Sequence, residues 1–282
     1  MSNYEEEYLK GLQYILDNGV WELNKRTGVR CLTVPSYMFE YELNSKGIPL
    51  LTQRPSFPVS SIAEIIGYLR CYTNAQDFAN IGSPTWFVNA NKTANWISNV
   101  NRVGEDDLGE VYGAAVGKEY IRGVLDKICN SEDDRGLKLD WWQVKSFDKA
   151  CLRPCLSDHQ FIISGGKVNL TSVQRSCDYM CGKNFNAIQV YFLGMLACQL
   201  SGLEGGKATH LINHMHIYEP HLEGVEELLS RKPVKLDVEF NLETDIMAPE
   251  DLIDSRNHAR DYFKLTGYKG VAQPKIDFNL IA

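Results

Sequence analysis

The stretch FNAIQVYFLGMLACQLSGL, residues 185–203, is the most apolar in the chain and decides how the rest of the fold is interpreted. Apolar side chains on every helical face are typical of a helix enclosed by other elements, so we predict a helix at the centre of the core. Gln189, Gly194 and Gln199 interrupt the apolar run, which argues against a membrane span.

The composition is that of an ordinary globular chain. Of its 282 residues, 44% are hydrophobic, and we find no internal repeat or linker, so we predict one domain over residues 1–282. The net charge is −7 and the 29 Lys and Arg are spread out, which argues against nucleic-acid binding. The N-terminal segment lacks the basic and apolar regions of a signal peptide, so we expect a cytoplasmic protein.

The eight cysteines are too few for a disulfide scaffold, and we expect them to be thiols. Two pairs, Cys151/Cys155 and Cys177/Cys181, have C-x3-C spacing. Zinc sites usually use C-x2-C rather than C-x3-C. We therefore predict no structural metal.

Periodicity predicts the other elements. Residues 26–55 alternate through β-branched and aromatic residues and indicate two strands joined at Asn44 to Gly47. The Asn- and Gly-rich residues 74–118 indicate loops and short helices. The remaining predicted helices are 4–18, 59–71, 119–129 and 222–230, and the remaining predicted strands are 137–144, 161–163, 167–174 and 234–240.

The segment THLINHMHIYEPH, residues 209–221, is predicted to be a strand with one polar and aromatic face. His210, Ile212, His214, His216 and Tyr218 share that face, as the wall of a pocket would. A metal site is disfavoured, because an i, i+2 pair of histidines needs a third ligand from elsewhere.

Cys155 lies in RPCLSDHQF, residues 153–161. A thiol is nucleophilic only as the thiolate, and nearby guanidinium groups such as those of Arg153 and Arg175 would stabilise that anion. The alternative is that Cys155 is one more buried thiol.

The segment QRSCD, residues 174–178, places a guanidinium and a hydroxyl beside each other. Arg175 and Ser176 suit a phosphate, although Arg175 could instead be a surface residue paired with Asp178. Asn186 offers a donor and an acceptor in one plane, matching the carbonyl and ring N–H of uracil, but it could also cap the following helix.

Glu64 lies within the apolar face of the helix predicted at 59–71. A carboxyl group in this position is either a proton relay with a raised pKa or a salt-bridge residue that faces solvent.

Together these features resemble the thymidylate synthase family, which includes the phage deoxypyrimidine hydroxymethylases. The resemblance runs along nearly the whole chain, in segments that keep the family's order: LNKRTGVR (23–30), PLLTQRP (49–55), SSIAEIIGYL (60–69), Trp86, DLGEVYG (107–113), RPC (153–155), QF (160–161), GKVNLTSVQRSCD (166–178), FNA (185–187) and HIY (216–218). It implies an α+β fold with a large mixed sheet flanked by helices. It also implies a homodimer packed sheet to sheet, a pyrimidine nucleotide and 5,10-methylenetetrahydrofolate.

The resemblance implies a role for each matched residue. Cys155 resembles the nucleophile that adds to ring carbon 6, and Glu64 resembles the carboxylate that organises water and proton transfer, with Tyr112 and Asn186 in the same catalytic set. The residues implied to bind the nucleotide are Arg26, Arg135 (from across the dimer), Arg153, Gln174, Arg175, Ser176, Asp178, Asn186, His216 and Tyr218. Those implied to bind folate are Trp86, Asp178, Gly182 and Phe185.

Three positions depart from the synthases of the family. Leu156 replaces the histidine that follows the nucleophile, Asn89 replaces a second tryptophan, and Gly136 replaces the second of two cross-dimer arginines. The phage deoxycytidylate hydroxymethylases, which add water instead of hydride, also lack that histidine and that tryptophan.

The sequence therefore predicts hydroxymethylation, as in a virus with modified DNA acting in its host's cytoplasm. Asn186 favours dUMP, because cytosine-specific relatives carry aspartate there. The alternatives are thymidylate synthase, a dCMP or CMP hydroxymethylase, and a regulator that binds nucleotide or its own messenger without catalysis.

Overall fold

The computed structural model describes residues 3–132, 134–268 and 275–281. The described helices are α1 Asn3–Asn18, α2 Pro58–Leu69, α3 Ala75–Asn80, α4 Phe87–Lys92, α5 Ala94–Ile97, α6 Gly113–Val116, α7 Lys118–Cys129, α8 Lys183–Ser201, α9 Leu222–Ser230 and α10 Pro249–Ile253. The described strands are β1 Val20–Leu23, β2 Arg30–Glu42, β3 Lys138–Asp140, β4 Leu156–Ser164, β5 Lys167–Gln174, β6 Cys177–Asp178, β7 Glu204–Tyr218, β8 Glu239–Leu242 and β9 Phe263–Thr266.

A mixed sheet of seven strands forms the body of the molecule. Its order is β1-β2-β7-β5-β4-β3, with β6 also paired to β7. β7 is parallel to β5 and β6, and the other neighbours are antiparallel. α8 makes the crossover that a parallel pair requires. The predicted α+β fold with a large mixed sheet flanked by helices is confirmed.

α8 lies at the centre of the core, as the apolar segment predicts. Its buried residues include Ile188, Val190 and Phe192, each with no exposed surface. Gly194 permits close packing, since a Cβ atom there would lie 2.4 Å from a methyl carbon of Leu43. None of the helices in the described ranges is long and apolar enough to cross a membrane.

The prediction of two strands in residues 26–55 is wrong. The first is β2, but residues 43–57 form no strand. The apolar residues Leu43, Ile48, Leu50 and Leu51 are buried in the core, and a buried loop is rich in apolar side chains just as a buried strand is. The loop's backbone is held by other means, for example by N–H groups of residues 52 and 53 donating to the Glu5 carboxylate.

Other predicted strands differ in length. β4 begins at Leu156, five residues before the predicted strand, whereas β3 covers only three of the residues 137–144. β8 begins at Glu239 rather than at residue 234. The sheet-to-sheet homodimer stays a prediction.

Candidate active site

The sheet places Cys155 and Arg175 side by side. Cys155 immediately precedes β4 and Arg175 immediately follows β5, and the two strands pair with Leu156 opposite Gln174. The backbone N–H of Arg175 donates to the Cys155 carbonyl at 2.9 Å. The Cys155 N–H donates to the Tyr112 hydroxyl at 3.0 Å, so a tyrosine from the loop before α6 also fixes the segment.

The Arg175 side chain is tied to the same segment. Its Nε donates to the Pro154 carbonyl at 2.7 Å and its Nη2 to the Arg153 carbonyl at 3.1 Å. Its guanidinium carbon also lies 5.5 Å from the centre of the Trp142 ring. Arg175 is therefore not paired with Asp178, and the guanidinium group is held in one orientation beside the thiol.

The charges that act on Cys155 differ in part from those expected. Burial raises the pKa of the Cys155 thiol, and the guanidinium groups of Arg175 and Arg26 partly oppose that rise. The Arg153 guanidinium instead lies over the ring of Phe147, 4.7 Å from its centre. Arg26, rather than Arg153, therefore joins Arg175 in favouring the thiolate.

Asn186 lies in the first turn of α8, and both ends of its side-chain amide are hydrogen-bonded. Its Nδ2 donates to Gln189 Oε1 at 2.9 Å, and its Oδ1 accepts from Gln174 Nε2 at 3.1 Å. The N-cap of α8 is Gly182, so the alternative of a capping asparagine is wrong. A Cβ on Gly182 would lie 3.2 Å from Asn186 Oδ1, and a larger residue would crowd the amide.

Glu64 is a buried carboxyl group surrounded by neutral donors. It accepts from the Tyr68 hydroxyl at 2.6 Å, the Thr85 hydroxyl at 2.5 Å and Gln189 Nε2 at 3.0 Å. Burial raises its pKa and these three hydrogen bonds partly lower it again. The alternative of a solvent-facing salt-bridge residue is wrong. Tyr68 also stacks on Tyr112 at 3.9 Å, which links the carboxyl group to the cysteine segment.

Two of the predicted nucleotide-binding residues belong to β7. His216 and Tyr218 are both buried, with ring centres 5.0 Å apart. The Tyr218 hydroxyl accepts from Asn24 Nδ2 at 3.1 Å, a partner that the sequence did not reveal. Burial lowers the pKa of His216 to about 3, so its imidazole is neutral.

Asp178 has a buried oxygen without a partner. Its Oδ1 accepts from the backbone N–H groups of Met180 and Cys181, whereas its Oδ2 has no hydrogen bond among the described residues. The ligand atoms of Asp178, Cys181 and His221 lie within 4.8 Å of one another, close enough for a metal ion, although burial raises the pKa of the Cys181 thiol. The absence of a metal stays a prediction.

The described part of the C-terminal segment packs beside Asp178. His221 Nε2 lies 2.9 Å from the Asn279 carbonyl, and the Arg54 guanidinium lies 4.7 Å from the centre of the Phe278 ring. Phe278 and Asn279 thus pack against Arg54 and His221. Residues 270–274 of this segment lie outside the described ranges.

The remaining predicted residues occupy the margins. Arg26 is exposed in the turn between β1 and β2, and Ser176 is half-buried between β5 and β6. Arg135 is exposed in the turn after α7, where its carbonyl accepts from Gln160 Nε2. Trp86 is buried, with its indole N–H unpaired among the described residues, and Phe185 is half-buried at the start of α8.

Two of the three residues that differ from the family's synthases, Leu156 and Asn89, are close in sequence to predicted site residues. Leu156 is fully buried next to Cys155, so its side chain extends the core rather than the pocket's polar surface. Asn89 is half-buried in α4, the helix that follows Trp86.

The buried histidines predict an acid-sensitive fold. Burial lowers the pKa values of both His159 and His216 to about 3. Below the ordinary histidine pKa of about 6.5, the unfolded chain takes up protons that the folded chain refuses, so stability is lost as pH falls. Each histidine should lower the free energy of unfolding by about 1.4 kcal/mol per pH unit between those values.

Urea denaturation at about pH 7 and about pH 5 measures this slope. His159→Asn should reduce this slope by about 1.4 kcal/mol per pH unit. The same change at the half-buried His214 is the matched control. An unchanged slope in His159→Asn would contradict the assignment.

Comparisons with known proteins identify the family of the chain. The sequence model of the family described as thymidylate synthase matches residues 6–282. The thymidylate synthase of Aliivibrio fischeri is 39% identical over 285 residues, covering 98% of this chain and 100% of that protein. The thymidylate synthase of Shewanella loihica is 40% identical over 274 residues, covering 94% and 96%. That of Haemophilus influenzae strain PittGG is 39% identical over 286 residues, covering 98% and 100%.

The match to this family model and to these relatives indicates a one-carbon transferase. The chain belongs to the thymidylate synthase family.

Proposed function

We propose that the protein transfers a one-carbon unit from 5,10-methylenetetrahydrofolate to carbon 5 of dUMP, releasing thymidylate and dihydrofolate. The named relatives support this reaction over the hydroxymethylation that the departures favour. The observation that carries the proposal is the fixed placement of Cys155 beside the Arg175 guanidinium, with the backbone of each bonded to the other.

The nucleotide would be held by its charge and by its base. Arg175, Arg26 and Ser176 would offer donors to the phosphate dianion. The guanidinium groups of Arg175 and Arg26 both oppose the rise in the pKa of the Cys155 thiol, which supports a cationic site there. The spare lone pair and spare N–H of the Asn186 amide would meet the ring N–H and the carbonyl of uracil. His216 and Tyr218 would bind the sugar. We further propose a homodimer, to which Arg135 contributes.

The residues proposed to bind folate would suit a polar heterocycle. Asp178 Oδ2 and the Trp86 N–H are an acceptor and a donor that have no hydrogen bond among the described residues. Buried polar atoms are rarely left unsatisfied, so both suit a ligand. Gly182 would leave space beside them, and Phe185 would give an apolar contact. When bound, methylenetetrahydrofolate supplies the carbon and the hydride.

The chain's own residues would begin the reaction. The Cys155 sulfur forms a bond to ring carbon 6, and the electron pair of the ring double bond moves toward carbon 5 and the adjacent carbonyl. The Asn186 N–H stabilises the charge that develops on that carbonyl oxygen. Glu64, with its raised pKa, organises proton transfer at the ring and its removal from carbon 5. Expulsion of the sulfur then restores the double bond.

Hydroxymethylation is the second candidate, and Leu156 and Asn89 favour it. In that reaction dUMP, methylenetetrahydrofolate and water give 5-hydroxymethyl-dUMP and tetrahydrofolate. Loss of a polar residue beside Cys155 and of a large ring after Trp86 would alter how water reaches the methylene group.

Incubation of the protein with dUMP and methylenetetrahydrofolate, followed by mass spectrometry of the nucleotide, distinguishes the two. We expect thymidylate with an equal amount of dihydrofolate. A product one oxygen heavier, with tetrahydrofolate, would replace the first proposal by the second. Absence of either product would contradict both.

A further inference from the structure

Three side chains that can bind a metal ion converge beside the C-terminal segment. One carboxylate oxygen of Asp178, the Cys181 sulfur and one ring nitrogen of His221 all lie within 4.8 Å of one another. We call these residues the Asp178–Cys181–His221 cluster. Asp178 and Cys181 are half-buried, whereas His221 is only 3% exposed. An ion from solvent could therefore reach the buried imidazole through the two half-buried side chains.

Backbone pairing holds the cluster together. Asp178 belongs to β6 and lies opposite His216 of β7, and the N–H of Tyr179 donates to the His216 carbonyl at 2.8 Å. Cys181 follows in the turn between β6 and α8, and His221 lies between β7 and α9. The positions of the three ligands therefore depend on the sheet as well as on their own side chains.

The imidazole of His221 has the orientation of a metal ligand. Its Nε2 lies 2.9 Å from the Asn279 carbonyl, and a carbonyl oxygen can only accept, so Nε2 carries the proton. In the neutral ring, Nδ1 is then a lone pair, which is buried and has no hydrogen bond among the described residues. Histidines that bind metals usually donate their other N–H to a carbonyl or a carboxylate in this way.

Asp178 presents a second lone pair beside the first. Its Oδ1 accepts from the backbone N–H groups of Met180 and Cys181, which fixes the carboxylate, and lies 3.9 Å from His221 Nδ1. Its Oδ2 is buried and has no hydrogen bond within the described ranges. Buried polar atoms are rarely left without a partner, and one cation satisfies both lone pairs at once.

Cys181 supplies the softest ligand and so determines the class of cation. Its sulfur makes only long contacts, to the carbonyl oxygens of Phe278 at 3.6 Å and Asn279 at 3.9 Å. A set of sulfur, nitrogen and oxygen donors suits zinc or cobalt, whereas magnesium and calcium prefer oxygen alone.

The charges of the cluster also suit a divalent cation. Burial and the Asp178 carboxylate raise the pKa of the Cys181 thiol, but a metal ion deprotonates a thiol that coordinates it. The resulting thiolate and the Asp178 carboxylate together carry two negative charges, which neutralise the two positive charges of the ion.

We propose that Asp178, Cys181 and His221 bind one divalent cation of the zinc class through a carboxylate oxygen, the thiolate sulfur and the imidazole Nδ1, with water as the fourth ligand. Zinc binds such atoms at about 2.0–2.3 Å, so a tetrahedral site needs roughly 3.3–3.8 Å between them. The cluster must close by on the order of 1 Å from its 4.8 Å limit, which side-chain rotation supplies. The ion is bound reversibly and is not the structural metal that the cysteine spacing argues against.

Titration of the protein with Co²⁺ tests the site, because a cobalt–thiolate bond absorbs strongly in the near ultraviolet. We expect the absorption to saturate at one ion per chain and to disappear when Zn²⁺ displaces the cobalt. Cys181→Ser keeps the size of the side chain and should lose this absorption. Its affinity for Zn²⁺, measured by competition with a coloured chelator, should fall by about 100-fold or more, since loss of even an outer partner of a ligand costs about 10- to 100-fold.

His221→Gln is a second variant that tests the imidazole. The glutamine amide can still donate to the Asn279 carbonyl, but it has no lone pair in place of Nδ1. It should weaken Zn²⁺ binding by about 10-fold or more while the cobalt–thiolate absorption persists at saturating Co²⁺. Unchanged affinity in this variant would overturn the inference.

Cys155→Ser and Cys198→Ser are the matched controls. Each removes a thiol that lies outside the Asp178–Cys181–His221 cluster, and each should keep both the absorption and the affinity for Zn²⁺. Absorption that persists in Cys181→Ser, or that is lost in either control, would place the ion on another thiol and overturn the inference. Absence of cobalt–thiolate absorption in the unaltered protein would overturn it as well.

The bound ion should also compete with folate. It would occupy the oxygen of Asp178 that we propose as a folate acceptor, so Zn²⁺ should raise the KM for methylenetetrahydrofolate in the unaltered protein and not in Cys181→Ser. This consequence alone rests on the proposed function, and an unchanged KM at saturating Zn²⁺ would contradict it. The cobalt titration involves neither nucleotide nor folate, so its failure would leave the proposed function intact.

Discussion

Cys155→Ser should lower the turnover number with dUMP and methylenetetrahydrofolate by about 10⁴-fold or more. A serine hydroxyl ionises far less readily than a thiol, and the charges beside residue 155 only partly oppose the effect of burial on ionisation. Release of tritium from carbon 5 of labelled dUMP should be lost in parallel, because both need addition at carbon 6.

The control for this change is Cys198→Ser. Cys198 is a half-buried free thiol of α8, outside the set of residues gathered around Cys155. It should retain turnover within a few-fold. Full tritium release by Cys155→Ser would show that another group is the nucleophile.

Glu64→Gln should lower the turnover number by about 10²- to 10⁴-fold, the range that positioned acid–base groups contribute. A glutamine has one carbonyl oxygen, so it cannot accept from Tyr68, Gln189 and Thr85 as the carboxyl group does. It also cannot exchange a proton with the ring. Binding of dUMP should weaken far less than turnover, because the phosphate donors are untouched.

Glu110→Gln provides the comparison. Glu110 also accepts from a hydroxyl group, that of Ser146 at 2.7 Å, but it belongs to no predicted site. Turnover by Glu64→Gln equal to that of Glu110→Gln would remove Glu64 from the reaction.

The local sequence pattern was sufficient to predict the boundaries of some helices and strands. The boundaries of β5 and α8 follow closely from alternation and from a continuous apolar stretch, because each is enclosed by neighbours on its faces. The same reasoning failed for residues 43–57, since their apolar side chains are buried by tertiary packing without strand pairing. Burial is visible in a sequence, but the partner that causes it is not.

Some features of the candidate site could likewise be predicted from the sequence and others could not. Cys155 and Arg175 could be predicted because each stands in a short specific segment of the family. The partners of Glu64 are only partly readable: Tyr68 is four residues on along the same helix, whereas Gln189 is 125 residues away. Lys183 looks like a surface lysine at a helix start. Its burial arises from Tyr4, Phe39 and Tyr41, which β2 and α1 bring over it.

The central claim is that the Cys155 sulfur bonds to the pyrimidine ring during turnover. Among the eight cysteines, this one alone should carry the nucleotide, so the most direct measurement is peptide mass spectrometry of protein quenched with denaturant while it reacts with dUMP and methylenetetrahydrofolate. We expect the mass of the nucleotide on the peptide that contains Cys155. An adduct on a different cysteine, or turnover with no adduct at any quench time, would contradict the account.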